Sequence, residues 1–215
     1  MANLMGRGSM SPRGVAILDV RERLFDAAER ILTRDGPSGL TSRAITTEAG
    51  CAKGMLHKHF AGLDELVAEL VLARFAGTAR LAEDLPGRAG ESTVAANLKT
   101  IGYALLTSLN PTTAGLAVST PAASVRIREA LEAGAPGFDA IQQSIADYLD
   151  AEVERGRLDP ATDTTATALA LVGTVHHLLM TTWGDTARDP GEQTERLVTM
   201  LLGPTTGGSI GHGER

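Results

Sequence analysis

Lys53, His57, Lys58 and His59 crowd into one short stretch of this chain, with Gly54 and Met55 among them. Ammonium groups neutralise phosphates, and imidazole and amine donors reach base edges, so the chemistry on offer is nucleic-acid recognition. Catalysis has no such foothold: no nucleophile elbow, phosphate loop, zinc-ligand spacing or Glu-x-x-His carboxylate pair is present. No metal and no cofactor is expected. His176 and His177 are adjacent, and on a helix their side chains diverge by about 100°, so they cannot chelate one ion together.

The elements that must position these residues lie in LTSRAITTEAGCAKGMLHKHF, residues 40–60. Thr41 is placed to cap a short helix that buries Ile45 and Ala49, four residues apart. Gly50 is placed to end it in a left-handed conformation, and Ala49, Gly50 and Cys51 form the turn. A second helix opens near Ala52 and buries Leu56 and Phe60. Lys53, Gly54, Met55, His57, Lys58 and His59 then share its outer side, as in a helix-turn-helix reading unit. Cys51 is expected to act as a small core residue rather than as a redox sensor.

Net charge is −6 over 215 residues, which at first argues against DNA. The charge is unevenly placed: residues 11–75 carry nine Lys/Arg against nine Asp/Glu, and residues 76–215 carry ten against seventeen. From Gly36 to Phe60 the balance is three basic residues to one acidic, so the local field favours phosphate. A single cysteine rules out a disulfide framework and is consistent with a cytoplasmic location. No apolar run is long enough to cross a bilayer, and no membrane role is expected.

Apolar residues recur at three and four rather than at two, which predicts an all-α fold. The first helix is expected from about Asp19 to Arg34, with Asp19 and Glu22 as an acidic capping box. A long helix follows from Gly62 and Asp64 to about Asp84. Further helices are expected over 92–109, 111–118, 121–133, 136–155, 161–182 and 191–202, several opening on proline, which costs nothing in a first turn. Residues 1–14 read as an added, disordered leader with Met10 as a candidate start, and 204–215 as a disordered tail. Between them stand a helix-turn-helix domain at 15–62 and a larger helical domain at 63–203.

From Leu24 to Leu70 the chain resembles the tetracycline-repressor (TetR) family of transcriptional regulators. The resemblance rests on Asp35-Gly36, Leu40-Thr41, Ile45, Glu48-Ala49-Gly50, Lys53-Gly54, Leu56, Phe60 and Leu66. Farther on, only Gly156-Arg157-Leu158-Asp159-Pro160 ahead of a long helix adds to it. It implies an N-terminal three-helix DNA-binding domain and a C-terminal ligand-binding and dimerisation domain. The implied partners are a double-stranded, palindromic DNA operator, a second copy of the chain, and a small effector that releases the DNA. Alternatives are a helical-bundle enzyme with His176 or His177 as base, and a TetR-like protein acting mainly through protein partners.

Residue by residue, the resemblance makes Ser42 and Arg43 phosphate contacts. Lys53 would reach phosphate or guanine, the Gly54 backbone would approach DNA closely, and Met55 would offer apolar contact. His57, Lys58 and His59 complete the surface. The chain departs from the family where a small hydroxyl usually stands (Met55), at two usual tyrosines (His57 and His59), and at a usual lysine (Leu63). Weaker phosphate anchoring is expected, partly restored by imidazolium, so that operator affinity rises from about pH 8 to pH 6.

An effector domain of this architecture would bind a moderately apolar ligand between helices, with Tyr103, Thr107, Gln142, His176, Met180 and Trp183 as candidate contacts. The helix at 161–182 has two apolar stripes, one through Leu169, Val172, Gly173, His176 and Met180, the other through Ala168, Leu171, Val175, Leu178 and Thr182. Periodicity leaves open which of them meets a partner. The dimer interface is assigned to Ala168, Leu171, Val175 and Leu178, with Leu197 and Leu201 of the last helix.

Overall fold

The computed structural model describes residues 12–181 and 189–203, with side chains from Val20 onward. Trp183 and the expected tail at 204–215 lie outside the described residues. Ten α-helices are described: α1 Pro12–Asp35, α2 Ser42–Glu48, α3 Met55–His59, α4 Leu63–Glu83, α5 Val94–Thr107, α6 Pro111–Ser119, α7 Pro121–Glu132, α8 Phe138–Glu154, α9 Thr164–Thr181 and α10 Pro190–Leu202. Among the described residues there is no strand, and no helix is long and apolar enough to cross a membrane.

Most boundaries fall where proline and the caps place them. Asn110 and Asp189 accept from the N–H groups of Thr112 and Gly191, each just ahead of a helix with proline in its first turn. The first helix is the exception. It begins at Pro12, so Asp19 lies inside it and does not cap it. A polar residue with an acidic partner three positions later fits a helix interior as well as a start.

Two apolar cores meet along α4. Its first half, with Leu66, Leu70 and Phe75, closes over Leu24, Phe25, Ile31, Ile45, Leu56 and Phe60. Its second half, with Ala79 and Ala82, joins Leu98, Leu105, Ile141, Tyr148, Leu171 and Val175. Phe138 and Met180 pack against both. Across the first seam, Arg74 of α4 reaches three carboxylates of α1: Glu22, Asp26 at 2.9 Å and Glu29 at 2.7 Å. These acids stand on successive turns of one face, so one guanidinium satisfies the whole stripe. Burial opposes the charge on Arg74. Hydrogen bonds to Glu29 and Glu22 more than offset that and hold its pKa above the ordinary arginine value.

The far end of the second core is polar. The Asn97 amide donates to the Tyr148 hydroxyl and to the Glu91 carbonyl, both at 2.9 Å. Fully buried Glu152 pairs with Arg157 at 3.3 Å. Burial pushes the Tyr148 hydroxyl up to about 12, so it stays protonated as a partner for its neighbours.

Candidate nucleic-acid interface

Local chemistry fixes the two short helices. The Thr41 hydroxyl accepts from the Ala44 N–H at 3.1 Å, capping α2. At the other end the N–H groups of Gly50 and Cys51 donate to the carbonyls of Thr47 and Thr46 at 3.1 and 3.0 Å. This paired closure requires a left-handed residue, supplied by Gly50 with φ 62°. Cys51, next in the chain, rests half-buried against the core. Leu56 and Phe60 are buried, anchoring α3.

The second helix is shorter than the periodicity suggests. It starts at Met55, after a turn in which the Met55 N–H donates to the Ala52 carbonyl at 2.9 Å. Lys53 and Gly54 therefore lie in the approach to α3 and not on its flank. The apolar spacing marks only Leu56 and Phe60, so it could not locate the opening turn. A Cβ added to Gly54 would have nothing within 4 Å, so its backbone lies open to an approaching surface.

Arg43, Lys53, Gly54, His57 and Lys58 are exposed, and Ser42, Met55 and His59 are half-buried. Among the described residues Arg43, Lys53 and Lys58 make no ion pair, which leaves three uncompensated positive charges on this face.

The arginines of α1 have a different task, which a charge count could not show. Arg23 donates to the Ala49 and Gly50 carbonyls at 2.6 and 3.2 Å, clamping the turn. Arg21 lies 4.6 Å from the Phe60 ring centre, donates to the His59 carbonyl at 3.3 Å and pairs with Glu69. Arg30 and Arg34 hold Glu48 of α2 at 2.8 and 3.2 Å, and their hydrogen bonds keep its carboxyl below the usual range.

Desolvation, aided by the charges of Arg21 and Lys58, lowers the His59 pKa below its ordinary value. Its positive charge therefore arrives at lower pH than composition implies. At the next helix the departure at Leu63 has a physical counterpart. Asp64 and Glu65 occupy the first turn of α4, and Glu65 accepts from the Ala61 N–H, so this helix start already carries negative charge.

A cap, a glycine-closed turn and an open basic face thus sit on one small core. Residues 24–70 match the family model of bacterial regulatory proteins, tetR family. The amino-terminal domain is a tetR-family domain. Solved structures share the larger architecture. A Mesorhizobium loti protein described as a tetR-family transcriptional regulator aligns with a TM-score of 0.64 at 20% identity, over 86% of this chain and 94% of that one. The fatty acid degradation regulator FadR from Bacillus halodurans gives 0.61 at 17%, over 92% and 98%. FadR from Bacillus subtilis, in complex with stearoyl-CoA, gives 0.58 at 15%, over 84% and 97%. At these identities the likeness is one of fold. No curated protein sequence matches the chain.

Behind the tetR domain, Trp183 lies outside the described residues, and the other five expected ligand contacts do not line one pocket together. Tyr103 and Thr107 are exposed on α5, and the Thr107 hydroxyl donates to the Tyr103 carbonyl at 2.8 Å. Gln142 is half-buried on α8. His176 is exposed on α9, with its ring edge-on to Phe138 at 5.0 Å, and Met180 follows one turn later. Among the described residues no three His, Cys, Asp or Glu side chains gather as for a metal.

The assigned interface is corrected in part. Ala168, Leu171 and Val175 are 0% exposed and Leu197 is 7% exposed within a single subunit, so they form its core and no partner can reach them. Leu178 and Leu201 are half-buried. Of the other stripe, Leu169 at 56% exposure, Gly173 and His176 face outward, while Val172 is buried and Met180 packs against both cores. Two apolar stripes on one helix look alike in sequence, and only the packing of α5 and α8 separates them.

Proposed function

We propose that this protein is a homodimeric, ligand-responsive transcriptional repressor, acting in the cytoplasm on a roughly palindromic DNA operator. The observation that carries the reading is the division of labour among its cations. The α1 arginines Arg21, Arg23, Arg30 and Arg34 are spent on the turn, α3 and Glu48. Arg43, Lys53 and Lys58 are left exposed around the open backbone of Gly54. Ser42, Met55, His57 and His59 complete the reading surface.

The dimer contact is the outward stripe of α9. Gly173 is a mid-helix glycine with no atom within 4 Å of a Cβ position. An exposed glycine there costs helix stability, roughly 1 kcal/mol against alanine, and close approach by a partner helix is the use that fits it. Leu169, one turn earlier, supplies apolar area. Two reading heads related by a twofold axis then meet half-sites about 34 Å apart.

Fluorescence anisotropy on duplex DNA at several salt concentrations tests the reading. Affinity should fall steeply with salt, and Lys53→Ala, which removes one contact from each subunit, should reduce the slope by about 2. A slope unchanged by that substitution counts against the assigned face.

A further inference from the structure

Helices α4 and α5 leave a groove between them, and we propose that it is the effector site, occupied by a linear amphiphile with an apolar chain and one anionic head group. The proposal rests on the ligand-responsive reading above and gives it a place and a chemistry.

The groove has a volume of about 730 Å³, within the range of small-molecule sites. Its walls are built from small residues, with Ala73, Ala76 and Gly77 on α4 facing Ala104 on α5. A Cβ on Gly77 would have nothing within 4 Å, so the space is open where the two helices would otherwise touch. Leu81, 57% exposed, stands at its lip. Leu81 and Ala104 also line a second, more enclosed cavity of about 80 Å³, whose apolar floor is Leu85 and Ile101. The two spaces adjoin, and along α4 from Ala73 to Asp84 they run about 16 Å, enough for a medium-length alkyl chain.

Charge fixes the direction and the class. The titratable groups lining the open groove are Glu22, Arg74 and Arg80, and those lining the inner cavity are Asp84 and Arg88. Asp84 and Arg88 leave the inner end without net charge, whereas Arg74 and Arg80 outweigh Glu22 in the open groove, so the head stays in the groove and the tail enters the apolar inner cavity. Among the described residues Arg80 makes no ion pair, and its guanidinium is the donor available to a carboxylate. Beside it Arg74 holds Glu22, which is 53% exposed and the most accessible of its three partners. An anionic head group competes with Glu22 for Arg74 and so loosens α1, the helix that clamps the reading turn.

The test uses dodecanoate and dodecyltrimethylammonium below their micelle concentrations and dodecanol below its solubility limit, with the full-length protein and no DNA. Calorimetry should show saturable binding of dodecanoate, one per chain, with dodecanol about tenfold weaker and the cation weaker still. Gly77→Leu and Ala104→Leu, which fill the groove from opposite walls, should abolish dodecanoate binding with melting temperatures at or above that of the wild type. Arg80→Gln should weaken dodecanoate about tenfold and leave dodecanol unchanged. Dodecanoate that fails to bind, or that binds both filled variants normally, overturns the site. Equal binding of acid and alcohol, or indifference to Arg80→Gln, overturns the anionic class. Because no DNA is present, these outcomes are independent of whether an operator exists.

Discussion

The guanidinium of Arg23 lies 2.6 Å from the carbonyl oxygen of Ala49 and 3.2 Å from that of Gly50, so a side chain of the first helix closes the turn of the helix-turn-helix. A turn ended by a left-handed glycine leaves these carbonyls pointing away from α2, and a cation is their natural partner. Arg23→Ala should cost about 1–3 kcal/mol in urea unfolding, since it leaves acceptors short of a partner. Arg23→Lys should recover only part, because one ammonium cannot span two carbonyls as the fork does.

Gly54 and Gly50 should respond oppositely to alanine. Gly50 has φ 62°, so Gly50→Ala forces a left-handed residue and should destabilise by about 1–2 kcal/mol. Gly54 has φ −80° and open space around a Cβ, so Gly54→Ala should leave the melting temperature unchanged or raised. On the proposed reading face operator affinity should nonetheless fall, because the methyl would fill the open space over the Gly54 backbone. Thermal unfolding and DNA titration of both variants separate fold from function.

The Arg74 array should be sensitive to loss of its centre. Arg74→Met leaves Glu22, Asp26 and Glu29 clustered on one face of α1 without their counter-charge. A loss of about 1–3 kcal/mol is expected in chemical unfolding at low salt, shrinking as salt screens the acids.

Acid should affect stability through His59. Its pKa is lowered on folding, so below the ordinary value near 6.5 the unfolded chain binds the proton first. The contribution of His59 to stability is therefore complete above that value and is lost as the pH falls through the folded one. His59→Gln should flatten this part of a stability–pH curve. Phosphate would favour the imidazolium, so any gain in operator affinity from His59 should grow as the pH falls toward the lowered value of the free protein.

Leu169→Glu places a charge on the outward stripe of α9 without touching the core. A monomer by sedimentation, still folded by circular dichroism, is the expected result. A dimer of unchanged stability would move the interface elsewhere.

Much of this was legible in the sequence, for identifiable reasons. Thr41, Gly50, Leu56 and Phe60 follow local rules of capping, handedness and spacing, and Pro111 and Pro121 open helices because a missing N–H costs nothing in a first turn. Tertiary facts were not legible. The count of three basic residues near the turn was right for the surface, yet nothing in it said that Arg23 faces two carbonyls or that Arg74 faces three acids. Both stripes of α9 carry apolar residues, and burial of Ala168, Leu171 and Val175 within one subunit is a property of the fold that spacing does not report. Of the expected effector contacts Thr107 lines the groove between α4 and α5, and helical face alone does not tell which of the others share a cavity. A groove forms where two helices of small residues stand apart, as at Gly77 and Ala104, and helical periodicity does not report that separation.

Selection of bound duplexes from a random pool, at a stated salt concentration and with the full-length protein, tests the central claim most directly. An approximate palindrome with half-sites about one helical turn apart should be enriched, and the enrichment should be lost with Lys53→Ala or Gly54→Ala. A pool without an enriched sequence, and affinity no better than that for random DNA, would contradict it.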